Sequence, residues 1–334
     1  MRPFDQLTPR GQYRRLRELA LQALAHYEVV VKRCSFLTQS YNTLFRVDAA
    51  EGTRYALRVS PAEMIQGEGI EGVEADWLAA LRRDTDLSVA WVIEAADGSV
   101  TAKVAAPDVP RSRSCALFDW VPGRPMDERI NEDLMRQAGR LTAGLHEHAA
   151  EHAPATLPSV LVADRVIYWK MEPLLDTLVP AYGTLFIEAA DRAQQAIDDL
   201  WRDPPDPPHL LHGDITPNNL IARSGNVTLI DFQDMIWGFE VQDVAVTFAS
   251  LWAFEGGNGL AEAFRAGYTQ VRRWPGYDPV TLGALIVARQ LDMLNYALYM
   301  RKPDLDTLVP AAARVVAEWM EDSAASAIRL SQLS

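Results

Sequence analysis

The sequence predicts an α+β protein with two lobes: a β-rich N-terminal lobe with one inserted helix, and a larger, mainly helical C-terminal lobe. Three observations lead to this expectation. The chain has 334 residues, which is long for one hydrophobic core and comfortable for two. Short strand-like patterns fill the first third of the chain. After Pro125 the apolar residues recur at helical spacing instead.

The N-terminal lobe is predicted to span residues 1–118. Residues 9–27 have helical spacing and follow Thr8, a residue suited to capping a helix. Strand patterns follow, two of them as hairpins, at 28–36, 43–60, 89–106 and 114–121. One helix, predicted over 70–83, is inserted between the hairpins. The first lobe is therefore expected to be a mostly antiparallel sheet.

Residues 119–125 are predicted to be a hinge, and residues 126–334 the C-terminal lobe. Helical patterns in this lobe cover 129–150, 164–177, 183–202, 241–253, 259–272, 279–300 and 307–330. Two short strand patterns, 219–223 and 227–232, interrupt them. We expect this lobe to carry the polar residues of the candidate site.

The charge of the chain argues against nucleic acid as a partner. The net charge is -13, and residues 1–115 contribute none of it, because they hold 15 basic and 15 acidic side chains. The excess of acidic residues lies in 116–334, where it would repel phosphates. It favours solubility, and it would also attract a cationic substrate or a metal.

The composition is that of a soluble globular enzyme, with 49% hydrophobic and 23% charged residues. No apolar run is long enough for a membrane-spanning helix, and the N-terminus does not resemble a secretory signal. We therefore expect a cytoplasmic protein that does not bind a membrane. Cys34 and Cys115 lie in strand-like apolar settings, which predicts buried free thiols.

The most informative segment is residues 210–234, LLHGDITPNNLIARSGNVTLIDFQD. A small hairpin is predicted to hold Asp214, Asn219 and Asp231 near one another. Phosphoryl transfer mostly requires positioning and charge neutralisation, and Mg²⁺ prefers oxygen ligands. Asn219 and Asp231 can supply such ligands, while Asp214 can accept the proton of an attacking hydroxyl. His212 is expected to support the loop by hydrogen bonding.

These residues resemble the catalytic and metal loops of the protein-kinase-like superfamily. His212-x-Asp214-x-x-x-x-Asn219 followed by Asp231-Phe232 is similar to the aminoglycoside phosphotransferase and choline kinase branch, which has HGD where protein kinases have HRD. The resemblance implies a bilobal kinase fold, Mg²⁺, and ATP as donor, with GTP also open. It makes Asp214 the catalytic base, and Asn219 and Asp231 the metal ligands.

Two further aspartates take roles from the same resemblance. Asp243, in Gln242-Asp243-Val244-Ala245, would brace the catalytic loop. Asp234 lies in an IDFxD pattern, and three roles stay open for it: support of the residues that touch the metal or substrate, contact with the metal, or contact with the substrate. Gly139 and His146 also resemble this branch and are expected to serve packing.

In the first lobe, the resemblance implies a cation on the nucleotide phosphates. Arg58 takes this place, with Glu74 as its helix partner and Glu71 as the competitor. The polar loop 35–42, which lacks glycine, would cover the phosphates through backbone N–H groups and the Ser40 hydroxyl. The segment Leu117–Trp120, including Phe118 and Trp120, is expected to bind adenine through its backbone.

The acceptor is predicted to be a small molecule with a hydroxyl group. Aromatic rings and carboxylates of the second lobe could enclose an amine, which fits an amino alcohol or an aminoglycoside-like compound. The candidate pocket residues are Tyr168, Trp169, Glu172, Asp234, Trp237, Trp252, Arg289, Asp292 and Tyr296. Homoserine, a sugar and a macrolide also stay open as acceptors.

Three other interpretations of the function stay open at this point. An atypical protein Ser/Thr kinase would use the same scaffold. A catalytically silent nucleotide-binding scaffold would not be expected to keep Asp214, Asn219 and Asp231. A hydrolase with Asp214 as nucleophile would explain neither Asn219 nor the β-rich first lobe.

Overall fold

A computed structural model of the chain describes residues 3–152, 159–251, 254, 256–275 and 277–321. These residues form two units. The first comprises the chain as far as Met64 together with Glu68–Pro122, and the second comprises Ile65–Gly67 with the described chain from Gly123 onward. The sequence did not predict that a segment as early as Ile65–Gly67 would belong to the second unit. The lobe and hinge boundaries at 118 and 125 stay predictions.

The first unit consists of two helices and an antiparallel sheet. Its elements are α1 (Pro9–Leu24), β1 (Val31–Gln39), β2 (Thr43–Ala49), β3 (Arg54–Val59), α2 (Ile70–Asp84), β4 (Val92–Ile93), β5 (Ala102–Val104) and β6 (Arg113–Asp119). The strand order is β1-β2-β3-β6-β4, with β5 also paired to β6. The inserted helix and the antiparallel order agree with the sequence prediction.

The predicted hairpin over 89–106 is wrong in its pairing. A turn is present around Asp97-Gly98, where the N–H of Ala95 donates to the carbonyl of Ser99 at 2.8 Å. However, β4 and β5 do not pair with each other. Both pair antiparallel with β6, at Leu117–Phe118 and at Arg113–Cys115 respectively. The turn therefore separates β4 from β5, which lie one after the other along β6, and it does not reverse the chain.

The core of the first unit lies between α1 and the sheet. Thr8 caps α1 as predicted, because its hydroxyl accepts a 3.3 Å hydrogen bond from the N–H of Gly11. Leu19 on the inner face of α1 packs in the same buried cluster as Phe45 and Leu57 of the sheet. Both cysteines are buried and free, as expected. Burial raises the pKa of Cys34 to about 11 and that of Cys115 to about 12, so both thiols stay protonated.

The second unit is mainly helical and contains two small sheets. Its elements are β7 (Arg124–Pro125), α3 (Glu132–Glu151), β8 (Leu161–Val162), α4 (Val179–Tyr182), α5 (Leu185–Arg202), β9 (His209–Leu211), β10 (Leu220–Arg223), β11 (Asn226–Leu229), β12 (Ile236–Gly238), α6 (Glu240–Leu251), α7 (Gly257–Tyr268), α8 (Pro279–Tyr299) and α9 (Leu305–Glu321). The strand orders are β11-β10-β7 and β8-β12-β9. Among the described residues, no helix is long and apolar enough to cross a membrane.

The helix predicted over 164–177 is wrong. Distant groups engage the backbone N–H groups that such a helix would use. Val166 donates to Oε1 of Gln194 at 3.0 Å, and Leu174 donates to Oδ1 of Asn295 at 2.6 Å. Because these bonds replace the helical ones, most of the segment is irregular, and a short 3₁₀ turn, Leu175–Leu178, appears only at its end.

Gly139 allows α3 and α7 to pack closely. A β-carbon at this position would overlap the backbone carbonyl of Phe264 on α7. Gly267 of α7 has the reciprocal arrangement, since a β-carbon there would overlap the carbonyl of Arg136 on α3. The packing role expected for Gly139 is therefore present, and it depends on glycine at two positions.

Candidate active site

A short hairpin gathers the polar residues of the central motif. Asp214 lies in the loop after β9, Asn219 stands directly before β10, and Asp231 follows the end of β11. The carbonyl of Asn219 accepts a 2.9 Å hydrogen bond from the N–H of Ile230. Because β10 and β11 pair antiparallel, Asn219 is held one residue from Asp231 across the hairpin. The local pairing predicted from the sequence spacing is present.

Both carboxylate oxygens of Asp214, the predicted base, accept hydrogen bonds. Nδ2 of Asn219 donates to Oδ2 at 2.6 Å and to the backbone carbonyl of Asp214 at 3.0 Å. Nη2 of Arg289, from α8, donates to Oδ1 at 2.7 Å. Since the amide nitrogen of Asn219 is engaged by Asp214, the amide oxygen is the atom available to a cation. This orientation suits a metal ligand.

Asp231 has a left-handed backbone conformation, with φ of 64°. Aspartate tolerates this region better than most residues, and it turns the chain from β11 into the short 3₁₀ turn Phe232–Asp234. Phe232 is 1% exposed and packs edge-on against the His212 ring, with the ring centroids 4.6 Å apart. The buried phenylalanine therefore anchors the loop that carries Asp231.

His212 is buried and joins the two loops of the site. Its Nδ1 accepts a 3.2 Å hydrogen bond from the N–H of Asp214, and its Nε2 lies 3.2 Å from the carbonyl of Ile230. This arrangement requires a neutral ring with its proton on Nε2. Burial lowers the pKa of His212, which favours the same neutral form. A neutral, fully bonded histidine suits loop support better than proton transfer.

Asp243, in the first turn of α6, is buried beneath this loop. Its carboxylate accepts the backbone N–H of His212 at 3.0 Å and of Gly213 at 2.8 Å. Nε2 of His146 lies 3.2 Å from the same carboxylate. Burial alone would raise the pKa of Asp243, but the hydrogen bonds and the charge of His146 outweigh burial and lower it. An ionised Asp243 thus fixes the backbone just before Asp214.

Gly213 lies against the backbone of Asp234. It has φ of +77°, and a β-carbon here would overlap the carbonyl oxygen of Asp234. Glycine is therefore required for both the backbone conformation and the close approach. Another residue would push the loop of Asp214 away from Asp234.

Arg289, midway along α8, brings a positive charge to these carboxylates. In addition to Asp214, it donates through Nη1 to the hydroxyl of Tyr168 at 3.2 Å, and its guanidinium lies 5.1 Å from the centre of the Trp169 ring. Nη1 is also 3.6 Å from Oδ2 of Asp292, one turn further along α8. That distance is an ion pair but not a hydrogen bond. The sequence predicted Arg289 for the acceptor pocket, not its contact with Asp214.

Two other carboxylates in this group have raised pKa values. Burial, reinforced by the charges of Asp214 and Asp231, raises the pKa of Asp234 to about 7. Burial also raises the pKa of Asp292 to about 7, against the lowering effect of Arg289. Within the described part of the chain, both carboxylate oxygens of Asp292 are buried without a hydrogen-bond partner. The group therefore holds more carboxylates than its guanidinium can neutralise.

Several residues predicted for the acceptor pocket lie together. The Trp169 ring meets those of Tyr168 and Tyr296 edge-on, with centroids 5.7 and 5.6 Å apart. Burial raises the pKa of Tyr168, so its hydroxyl keeps a proton that it can donate. With Arg289 and Asp292, these three aromatic residues form what we name the acceptor cluster.

Three other pocket candidates are not placed in this cluster. Within the described ranges, Glu172 and Trp237 make no hydrogen bond, ion pair or ring contact with its members. The Glu172 side chain is exposed, and its backbone carbonyl accepts a 3.1 Å hydrogen bond from Nδ2 of Asn295. Trp237 is part of β12, between β8 and β9. Trp252 lies outside the described residues.

In the first unit, Arg58 on β3 and Glu74 on α2 form a buried ion pair. Nη1 of Arg58 donates to Oε1 at 2.9 Å, and Nη2 donates to Oε2. The two side chains are 3% and 2% exposed. Glu71, the competing partner, instead accepts a 3.2 Å hydrogen bond from the Ser60 hydroxyl. The predicted pairing is present, and phosphate binding by this pair stays a prediction.

Ser40 lies in a tight turn between β1 and β2. The sequence predicted a polar loop over 35–42, but residues 35–39 belong to β1, which pairs with β2 as far as Gln39 and Thr43. The N–H of Ser40 donates to the carbonyl of Asn42 at 3.1 Å. The loop is shorter than predicted because the strand pairing extends to its edge. A phosphate contact of Ser40 stays a prediction.

Phe118 and Trp120 lie at the end of β6. The Phe118 ring is 4.9 Å from the Arg58 guanidinium. Between the two aromatic residues, Asp119 accepts a 2.6 Å hydrogen bond from the N–H of Trp91, which fixes the end of the strand. Trp120 follows the last paired residue and is half-buried. Adenine binding by this segment stays a prediction.

Sequence reasoning missed the polar contacts that Gln66 and His146 make in the site. Nε2 of Gln66 donates to Oδ1 of Asp234 at 2.6 Å, and no pattern in the sequence marks Gln66. His146, assigned to packing, reaches both Asp243 and the hydroxyl of Tyr268, the latter at 2.9 Å. A histidine on the buried face of a helix needs polar partners, so its position in α3 was a signal that could have been used.

Comparison with known families assigns the chain to one of them. The sequence model of the group described as the phosphotransferase enzyme family matches residues 36–280. The chain therefore belongs to this family. The predicted resemblance is confirmed, as is the predicted enzyme class, a phosphotransferase with an alcohol group as acceptor. No curated protein matches the chain.

Solved structures of similar fold cover almost the whole chain. The amicoumacin kinase hAmiN, in complex with AMP-PNP, Ca²⁺ and Ami, is 20% identical with a TM-score of 0.75 and covers 95% of this chain and 97% of its own. A microcompartment-associated aminopropanol kinase is 24% identical, with a TM-score of 0.72 and coverages of 92% and 98%. An aminoglycoside phosphotransferase from Alicyclobacillus acidocaldarius is 16% identical, with a TM-score of 0.58 and coverages of 94% and 96%. The predicted α+β kinase-like fold is confirmed.

Proposed function

We propose that this member of the phosphotransferase enzyme family transfers the γ-phosphate of ATP to a hydroxyl group of a small molecule, with Mg²⁺ as the metal. One observation carries the proposal: the hydrogen-bonded pair Asp214 and Asn219 shares a hairpin with Asp231. A carboxylate to accept a proton and two oxygen ligands for a metal are the groups that phosphoryl transfer requires. GTP stays open as an alternative donor.

Asn219 and Asp231 would hold the metal. The donor set fits Mg²⁺, because it consists of a carboxylate and an amide oxygen whose nitrogen is already engaged. Mg²⁺ supplies charge neutralisation at the phosphates when it is bound. Phosphates and water would complete its coordination.

Asp214 would act as the base. The acceptor hydroxyl gives its proton to Asp214, its oxygen bonds to the γ-phosphorus, and the bond from that phosphorus to the ADP oxygen breaks. His212 and Asp243 keep the loop in place through the backbone bonds described above. In the first unit, Arg58, paired with Glu74, would bind the α- and β-phosphates. Phe118, Trp120 and Ser40 would contact the adenine and the phosphates.

The acceptor class that fits best is an amino alcohol or an aminoglycoside-like compound. Asp234 and Asp292 outnumber the nearby guanidinium, and the acceptor cluster adds aromatic faces, which attract ammonium groups. Two proteins of similar fold are named for amicoumacin and aminopropanol, which supports testing amines first. Our proposal therefore names a cationic acceptor.

The test is ADP release with Mg-ATP and pooled amino alcohols, antibiotics and other hydroxyl metabolites, with Asp214→Asn as the blank. We expect at least one amine pool to stimulate the parent enzyme and not the variant. Label that accumulates on protein instead of a metabolite would identify a protein kinase. If Mg-ADP also fails to raise the unfolding temperature of the parent, the nucleotide assignment itself is wrong.

A further inference from the structure

The proposed base is covered by a cation from a distant helix. Asn219, which is local to the loop, occupies Oδ2 of Asp214, while Arg289 lies 75 residues away in sequence and occupies Oδ1. The Arg289 side chain is 7% exposed, against 21% for Asp214. A guanidinium on Oδ1 takes the place that an attacking hydroxyl would use.

Arg289 has a second carboxylate within reach. Asp292 is 0% exposed, and neither of its carboxylate oxygens has a hydrogen-bond partner among the described residues. Nη1 of Arg289 lies 3.6 Å from its Oδ2. A buried acceptor without a donor destabilises the fold, and more so when it is charged. Asp292 therefore lacks a hydrogen-bond donor, and the Arg289 guanidinium lies just beyond hydrogen-bonding distance.

The movement that joins Arg289 to Asp292 is small. Shortening 3.6 Å to a charge-assisted hydrogen bond of about 2.8 Å requires a shift of roughly 0.8 Å. The Trp169 ring, 5.1 Å from the guanidinium, offers an apolar face along which the group can turn. Two positions of the same guanidinium are thus close in space.

We propose, resting on the function proposed above, that Arg289 is a two-position cation that covers Asp214 until a cationic acceptor displaces it onto Asp292. In the first position Oδ1 of Asp214 is occupied and does not take a proton from water, so ATP is spared from hydrolysis. A positively charged acceptor takes the place of the guanidinium as the countercharge of Asp214. It also presents its own hydroxyl to Oδ1 of Asp214. Asp292 then receives the donor that it lacks.

The proposal predicts what happens when the cation is removed. In Arg289→Gln, water can reach Oδ1 of Asp214. The water oxygen then bonds to the γ-phosphorus, its proton passes to Asp214, and the bond to ADP breaks. We expect phosphate release from Mg-ATP without acceptor to rise about tenfold or more, because a positioned base contributes 10²–10⁴-fold. The added hydrolysis should vanish in the double variant Arg289→Gln/Asp214→Asn.

Two further variants separate this role from a merely structural one. Arg289→Lys keeps a cation and should restore hydrolysis toward the parent level. Arg192→Gln is the matched control, since the Arg192 guanidinium also lies over a tryptophan, at 4.7 Å from the Trp319 ring, but is not part of the site. Hydrolysis in Arg192→Gln should equal that of the parent.

Hydrolysis by Arg289→Gln that equals or falls below the parent level would overturn the proposal, because the arginine would then assist transfer instead of restraining it. If that variant does not fold, Asp292→Asn gives the second test. It removes the charge that draws the guanidinium to the alternative position, so kcat/KM for a cationic acceptor should fall about tenfold, and an unchanged value would contradict the exchange. The proposed function fails separately, when the parent neither binds Mg-ADP nor transfers phosphate.

Discussion

Two buried arginines of this protein stand in opposite electrostatic situations. In the first unit, Arg58 meets the carboxylate of Glu74 in a bidentate pair whose members are both almost fully buried. In the second unit, Arg289 is shared by Asp214 and Asp292, at 2.7 and 3.6 Å. The first arrangement has matched charges, whereas the second has an excess of carboxylate.

The difference indicates what each region is built to bind. A matched, bidentate pair holds its two elements, β3 and α2, in a fixed geometry. An unmatched group stores unfavourable electrostatic energy, which a bound cation relieves. Burial is the main cause of the raised pKa values of Asp234 and Asp292, both about 7, and the charges of neighbouring carboxylates add to it. We infer that the excess negative charge of the second unit serves to bind Mg²⁺ and a cationic acceptor.

The largest effect is expected at Asp214. Asp214→Asn removes the proposed base but keeps the size of the side chain, so transfer to an acceptor should fall by about 10²–10⁴-fold. Nucleotide affinity, measured by the shift in unfolding temperature with Mg-ADP, should stay close to that of the parent. Asp191→Asn, an exposed change on α5, is the control and should leave both readouts unaffected. Near-normal turnover in Asp214→Asn would show that the base is another group.

The next largest effect is expected for the buried ion pair of Arg58 and Glu74. Glu74→Gln leaves the Arg58 guanidinium buried without its countercharge, which should cost about 3–5 kcal/mol of unfolding free energy. Urea denaturation followed by circular dichroism measures this loss. Glu71→Gln, one turn earlier on α2 and half-buried, should cost less than about 1 kcal/mol. If the two glutamate variants were equally stable, the pair would not hold the unit together.

The smallest expected effect is a gain in stability, and it concerns Asp292. The pKa of Asp292 rises from 3.8 to about 7 on folding, so between about pH 4 and pH 7 the folded protein keeps a proton that the unfolded chain has lost. Asp292 therefore lowers stability as the pH rises through this range. Asp292→Asn should be more stable than the parent at pH 8, by roughly 1–3 kcal/mol.

Denaturation of Asp292→Asn and the parent at pH 5 and pH 8 checks this sign. The gain in stability should shrink at pH 5, where Asp292 is protonated in the parent. Asp191→Asn should show no such dependence on pH. A loss of stability at both pH values would mean that the ion pair of Arg289 with Asp292 stabilises the fold by more than the burial of Asp292 destabilises it.

The sequence predicted the parts of the site that are close along the chain. Asp214, Asn219 and Asp231 were placed together because one hairpin holds them, and residue spacing fixes the ends of a hairpin. Their roles stay predictions. The fold class was predicted on similar grounds, since alternating patterns gave the strands of the first unit and helical spacing gave most helices of the second.

Contacts between distant residues were not predictable in this way. Arg289 was proposed for the acceptor pocket, but nothing in the chain indicates that its guanidinium reaches Asp214 from another helix. The failed helix over 164–177 has the same cause, because Gln194 and Asn295 engage its backbone. One usable signal was present: Arg289, Asp292 and Asn295 recur every three residues in the largely apolar α8, which marks a polar face within a buried helix.

The most direct test of the excess of carboxylates in the second unit is whether Mg-ADP stabilises the protein. Unfolding temperatures of the full chain would be compared with and without Mg-ADP, in the parent and in Asp231→Asn. We predict a clear rise in the parent that depends on Mg²⁺ and is mostly lost in the variant, because a carboxylate ligand has been removed. An equal rise in both proteins, or none in the parent, would contradict the assignment of this charge to metal and phosphate.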